Sequence, residues 1–205
     1  MVARTDSGVV FFINKGLGIS ATLFTRVLIQ NPDLDKKPTN ILNKNALVLK
    51  DFDANGKLDV LVTTPNKLII LVNNSISSSI TQSSFQIKTI KSLPYSSIGW
   101  TVCSDDLTND SKPDIVYNNV SVTTDSIFIL QNDFGTSSPI LDSNSFLGPI
   151  ISRYLGAPRF SKIEDFNQDG SLDLATSFNS NKLGLQSNML LPQKLLLLHL
   201  STLLV

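Results

Sequence analysis

The stretch 51–59, DFDANGKLD, returns twice along the chain, as DLTNDSKPD at 106–114 and DFNQDGSLD at 165–173. In each copy an oxygen-bearing side chain stands at the first, third, fifth and ninth places. These are Asp51, Asp53, Asn55 and Asp59, then Asp106, Thr108, Asp110 and Asp114, then Asp165, Asn167, Asp169 and Asp173. Gly56 and Gly170 hold the sixth place, where the backbone must turn with φ > 0, and Ser111 replaces glycine in the middle copy. Carboxylates and amides alternating around such a bend wrap a hard cation in oxygen, and the carbonyl of the seventh residue (Lys57, Lys112 or Ser171) adds one more ligand. Calcium (Ca2+) is therefore the expected ion. The first and third loops are expected to bind it well, and the middle loop, with Thr108 and Ser111, more weakly.

Two rival readings of the loops are weaker. An EF-hand shares the acidic first, third and fifth places but needs a glutamate at the twelfth, where this chain has Val62, Tyr117 and Thr176, and it needs helical flanks. A metal-free Asx turn would explain one copy. Three copies with aspartate at both the first and ninth places favour a ligand.

Short apolar, β-branched runs surround each loop. ALVLKDF enters the first, DVLVTTP leaves it, KLIILVNN returns, and FQIKTI completes a set of four. The second group has IGWTVCSDD, DIVYNN and SIFILQND, followed by a polar connector (133–149) with a fourth strand hard to place. The third has RFSKIEDF, DLATSFN and KLGLQSN. Before the first loop, GVVFFINKG and ATLFTRVLIQNP read as two more strands, with pairing from residue 9. Loop starts lie 55 and 59 residues apart. A period near that length with four strands each predicts repeated small antiparallel sheets, the blades of a propeller.

At these loops the chain resembles the FG-GAP/VCBS repeats of integrin α-subunit head propellers. The resemblance implies an all-β fold, an incomplete β-propeller of four-stranded antiparallel blades. In it a calcium loop links the innermost two strands of a blade, and the third strand ends in an Asn- or Gly-rich turn, here INKG (13–16), VNN (72–74) and QNDFG (131–135). The blades would run 1–45 (partial, with a connector), 46–96, 97–157 and 158–188 (partial). Asn73 lies 14 residues after Asp59, so Asn14 would place a preceding loop's last aspartate near position zero, and the chain would begin mid-blade. Gly156-Ala157-Pro158 lies before a loop and is a coincidental match to the family's GAP. The Leu-rich tail 189–205 fits no blade and reads as a gene-model error or frameshift, or else as a packing segment. The resemblance further implies a non-catalytic, extracellular calcium-binding module for binding or adhesion, with a protein or glycan ligand. The alternatives are an accessory propeller of a larger secreted enzyme, or a lectin.

Composition narrows the remaining classes. Lysine plus arginine equals aspartate plus glutamate, 17 each, so no basic field points to nucleic acid. His199, the only histidine, lies in the tail, which leaves no material in the body for a Ser-His-Asp triad or a histidine-ligated zinc, and no phosphate-binding glycine loop occurs. The reading therefore expects no enzyme. Cys103 is the single cysteine and is expected inside as a small apolar group. No apolar run reaches the roughly 20 residues of a membrane span. Trp100, Tyr117 and Phe128 would suit a sugar site but are expected in the core. Sequons stand at Asn73, Asn109 and Asn119.

Overall fold

The computed structural model describes residues 1–5, 8–14, 24–32, 34, 47–76, 79–94, 100–119, 126–136, 139–153, 158–178 and 183–186. Among the described residues fourteen strands form four antiparallel sheets. The first holds β1 (Val2–Thr5), β2 (Gly8–Asn14) and β3 (Phe24–Ile29). The second holds β4 (Leu47–Lys50), β5 (Asp59–Thr63), β6 (Lys67–Asn73) and β7 (Phe85–Ser92), and the third β8 (Trp100–Asp105), β9 (Asp114–Asn119), β10 (Ser126–Asn132) and β11 (Phe146–Arg153). The fourth holds β12 (Pro158–Glu164), β13 (Asp173–Phe178) and β14 (Leu183–Gln186). Each sheet is a meander in chain order.

The sheets stack face to face, and the period of two along each strand shows why. Val60, Val62, Ile69 and Leu71 point to the first sheet and meet Val9, Phe11 and Ile29. Their alternates Leu61, Leu68, Ile70 and Val72 point to the third sheet and meet Val102, Ile115, Tyr117 and Leu130. β5 is buried along its whole length, so its central residues Val60, Leu61 and Val62 are all apolar although its neighbours are antiparallel. Val116, Ile127 and Ile129 on the third sheet's far side meet Ile163 and Leu174 of the fourth. Burying one such side chain contributes about 1.5–3 kcal/mol, so these three inter-sheet cores hold the stack together. Stacked Phe11 and Phe85 rings, 4.6 Å apart, join the first pair of sheets. A Lys50–Asp105 ion pair of 2.9 Å joins the innermost strands of the second and third. Consecutive small sheets packed in chain order are the arrangement of propeller blades, as the repeat predicts.

Two sequence expectations change. Strand pairing begins at Val2, with β1 against β2, and not at residue 9; a four-residue strand closed by a two-residue link gives little periodic signal. The connector expected over 133–149 ends at Ser145, and β11 begins at Phe146. Gly148 and Pro149 disguise this strand in the sequence, but an edge strand accepts a residue without an N–H, and β11 is the edge of its sheet. A single 3-10 turn leads into each outer strand, Gln82–Ser84 before β7 and Ser143–Ser145 before β11, each opened by a capping box from Thr81 or Asp142.

Tyr117 is buried and stacks on Phe128 at 5.1 Å, so this pair belongs to the core as expected. Half-buried Cys103 packs against the third core, where burial pushes its thiol up to about 12. Lys15-Gly16, most of the 33–45 connector, Gly156-Ala157, the tail with His199, and the side chains of Trp100 and Asn119 lie outside the described residues. No helix among the described residues is long and apolar enough to cross a membrane.

Candidate metal centre

Each loop joins the innermost strand of a sheet to the next, β4 to β5, β8 to β9 and β12 to β13, and all three fold alike. The first aspartate gathers two backbone N–H groups. Asp51 accepts from Asn55 (3.1 Å) and Gly56 (2.7 Å), Asp106 from Asp110 (3.0 Å) and Ser111 (2.7 Å), and Asp165 from Asp169 (3.1 Å) and Gly170 (2.9 Å). The fifth side chain accepts from the seventh N–H: Lys57 donates to Asn55, Lys112 to Asp110 and Ser171 to Asp169, at 2.8–3.0 Å. Reaching these acceptors takes left-handed backbone at two places. The sixth residues Gly56, Ser111 and Gly170 have φ of 80°, 67° and 85°. The fourth, Ala54, Asn109 and Gln168, have 55°, 57° and 61°. The sixth position is marked by glycine in the sequence, whereas the fourth is not.

The ninth aspartate does different work. Asp59, Asp114 and Asp173 are completely buried at the first position of β5, β9 and β13. Asp59 accepts from Phe52 N–H at 2.8 Å and from Asn73 N–H at 2.7 Å. Asp114 accepts from Leu107 N–H (2.9 Å), Thr108 N–H (3.0 Å) and Asn132 N–H (2.8 Å), and Asp173 from Phe166 N–H (3.0 Å). Asp59 and Asp114 therefore clamp the loop's start to the end of the third strand, and Asp173 holds the start of its own loop. Burial raises Asp59 and Asp114 from 3.8 to about 6, against the lowering effect of those amides, and neighbouring carboxylates push the same way. Asp53 is raised too, chiefly by burial.

In the first loop, carboxylate oxygens of Asp51, Asp53 and Asp59 all lie within 4.8 Å of one another. Two oxygens bound at about 2.4 Å to one ion are separated by no more than about 4.8 Å, so this triad can share a single cation. The donor set is all oxygen, and the carboxylates raise one another's proton affinity in the absence of a counter-charge, which suits a hard divalent ion. In the second loop Thr108 Oγ1, at the third place, is buried with no hydrogen-bond partner among the described residues, as a ligand oxygen awaiting an ion would be. In the third, Asn167 replaces that carboxylate and donates to Asp169 at 3.0 Å. Among the described residues only the first loop brings three carboxylates this close.

Two contributors escape the sequence reading. The second place is apolar in every copy, and Phe52 and Leu107 are buried plugs in the inter-sheet cores, with Phe52 edge-on to Phe146 at 6.4 Å. The repeated Phe/Leu was the available signal. Asn73 is the other: its backbone N–H clamps Asp59, and its buried side chain donates to Leu58 C=O and accepts from Ser75 N–H. That sequon has no room for a glycan in the folded protein. Asn109, by contrast, is exposed.

Fold and loops together define a protein of stacked antiparallel sheets with an acidic, cation-suited loop between the inner strands of each repeat. Residues 51–117, from the first loop through the second and into β9, match the family model of the FG-GAP-like repeat. The chain thus carries an FG-GAP-like repeat, and the resemblance read from the loops holds over that span. No curated protein matches the chain.

Proposed function

We propose that the chain is a non-catalytic, calcium-binding propeller module of an extracellular protein, serving binding or adhesion to a protein or glycan. The observation that carries this reading is the Asp51, Asp53 and Asp59 triad, an all-oxygen set whose mutual repulsion a divalent cation relieves. Bound calcium would be held by these carboxylates and the Asn55 side chain, in the third loop by Asp165, Asn167, Asp169 and Asp173, and more weakly in the middle loop by Asp106, Thr108, Asp110 and Asp114. Lys57, Lys112 and Ser171 would contribute carbonyls. The ion would neutralise the loop and stiffen the strand junction, leaving recognition to other connections of the sheets. Affinities of about 10⁻⁴ to 10⁻³ M, usual for extracellular modules, match a millimolar calcium environment. The non-catalytic reading is supported by the commitment of Asp59 and Asp114 to backbone amides and by a Cys103 thiol held protonated.

Ten millimolar calcium should raise stability over chelator by about 1–3 kcal/mol per occupied site, by mass action on the folded state. Thermal melts of the full chain in the two conditions measure this. Identical melts in a folded preparation would remove calcium from the proposal.

A further inference from the structure

We infer that Asn132 couples the loop 51–59 to the loop 106–114, so that the order of each, and its hold on a cation, depends on the other. Asn132 ends β10 and is completely buried. Its backbone N–H and both side-chain polar atoms are hydrogen-bonded. Its backbone N–H donates to Asp114 Oδ1 at 2.8 Å, its Oδ1 accepts from Phe134 N–H at 3.0 Å, and its Nδ2 donates to Phe52 C=O at 3.0 Å. Phe52 belongs to the other loop, 80 residues earlier, and its own N–H donates to Asp59 Oδ2 at 2.8 Å. The two ninth-place carboxylates are thus joined through one asparagine and the backbone of one phenylalanine.

The corresponding residue of the second sheet makes no such link among the described residues: Asn73 donates its Nδ2 to Leu58 C=O, within its own loop, at 3.1 Å. Phe52 is held a second time by its ring, packed on Phe146 of the third sheet. A close-packed interior does not absorb small displacements. A shift of Asp114 therefore reaches Phe52 through Asn132, and a shift of Asp59 returns by the same route, since coupling between sites is reciprocal. Asn132 is a positioning residue, acting on both loops through groups it does not share with solvent. The cation half of the inference rests on the calcium reading above, whereas the link between the loops does not.

Hydrogen exchange read by mass spectrometry on peptides covering 51–59 tests it in the full chain, without metal and along a calcium titration. Asp114→Asn, made in the distant loop, should speed metal-free exchange in 51–59 about fivefold and move the calcium midpoint of its protection about fivefold upward. In an Asn132→Asp background, which keeps the acceptor for Phe134 and loses the donor to Phe52, the same substitution should have no further effect. Asn132→Ala serves if Asn132→Asp does not fold. Equal effects of Asp114→Asn with and without the Asn132 donor, or none in the parent chain, would overturn the coupling. Absence of calcium protection in every loop would instead discard the calcium reading, and the metal-free comparison would still decide the link.

Discussion

At the scale of the residue, Asp59 and Asp114 carry a conflict built into the fold. Each is placed where burial disfavours its charge, raising it from 3.8 to about 6, yet each accepts backbone amides that a carboxylate holds best. A raised acid binds its proton more tightly in the folded state, so without metal its contribution to stability is full below about pH 4 and is lost as pH rises through 6. In metal-free buffer the denaturation midpoint should therefore be higher at pH 5 than at pH 7.5, and Asp59→Asn should flatten the difference. A midpoint that rises over that interval contradicts this. Backbone strain gives a second prediction. Ala54 and Ser111 are exposed and sit at φ of 55° and 67°, so Ala54→Gly and Ser111→Gly should each stabilise by about 0.5–1 kcal/mol in chemical denaturation. A lower midpoint in either variant would show the turn to be unstrained.

At the scale of the element, each loop separates ligand positions from clamp and plug positions. Asp59→Ala would leave the N–H groups of Phe52 and Asn73 buried without acceptors, at a cost of about 2–5 kcal/mol. Asp53→Asn should fold normally, within about 0.5 kcal/mol of the parent, because the third loop already carries Asn167 at that place, accepting from Asp169 N–H as Asp53 accepts from Asn55 N–H. It should nevertheless lose the calcium response of the first loop, which would keep two carboxylates. Calorimetry beside denaturation separates the two outcomes, and equal destabilisation by both substitutions would refute the division of roles. The plugs differ in the same way. Phe52→Ala empties the core between the second and third sheets and should cost about 3–5 kcal/mol, whereas Phe166, 46 % exposed, should tolerate alanine within about 0.5 kcal/mol.

Over the whole molecule, the stack buries every described sheet face that meets a neighbour, and the fourth sheet's outer face is the contrast. Register places Phe160, Ser177 and Leu183 in one row across this face and Lys162, Ala175 and Leu185 in the next. Phe160, Leu183 and Leu185 are 43 %, 68 % and 43 % exposed. On the facing sides of the inner sheets such positions are buried in cores. This apolar face should make the isolated chain self-associate as concentration rises, and Phe160→Lys with Leu183→Lys should suppress it. Static light scattering across a concentration series checks this, and a monodisperse monomer at high concentration in the parent chain would count against it.

The sequence by itself determined what is written locally and repeated: the three loops, the oxygen at their alternating places, the strands around them and the small repeated sheets that their period implies. It marked Gly56 and Gly170 as bends because no side chain competes there. It could not assign the partners of Asp59 and Asp114, because the amides of Asn73 and Asn132 arrive from strands 14 and 18 residues further on. Nor could it find the edge strand at Phe146, whose Gly148 and Pro149 are tolerable only with one side unpaired. The Asn132–Phe52 bond spans 80 residues and depends on how two sheets pack. Only the tertiary structure decided it, since side-chain periodicity fixes which face is buried and leaves open which polar groups on that face will meet.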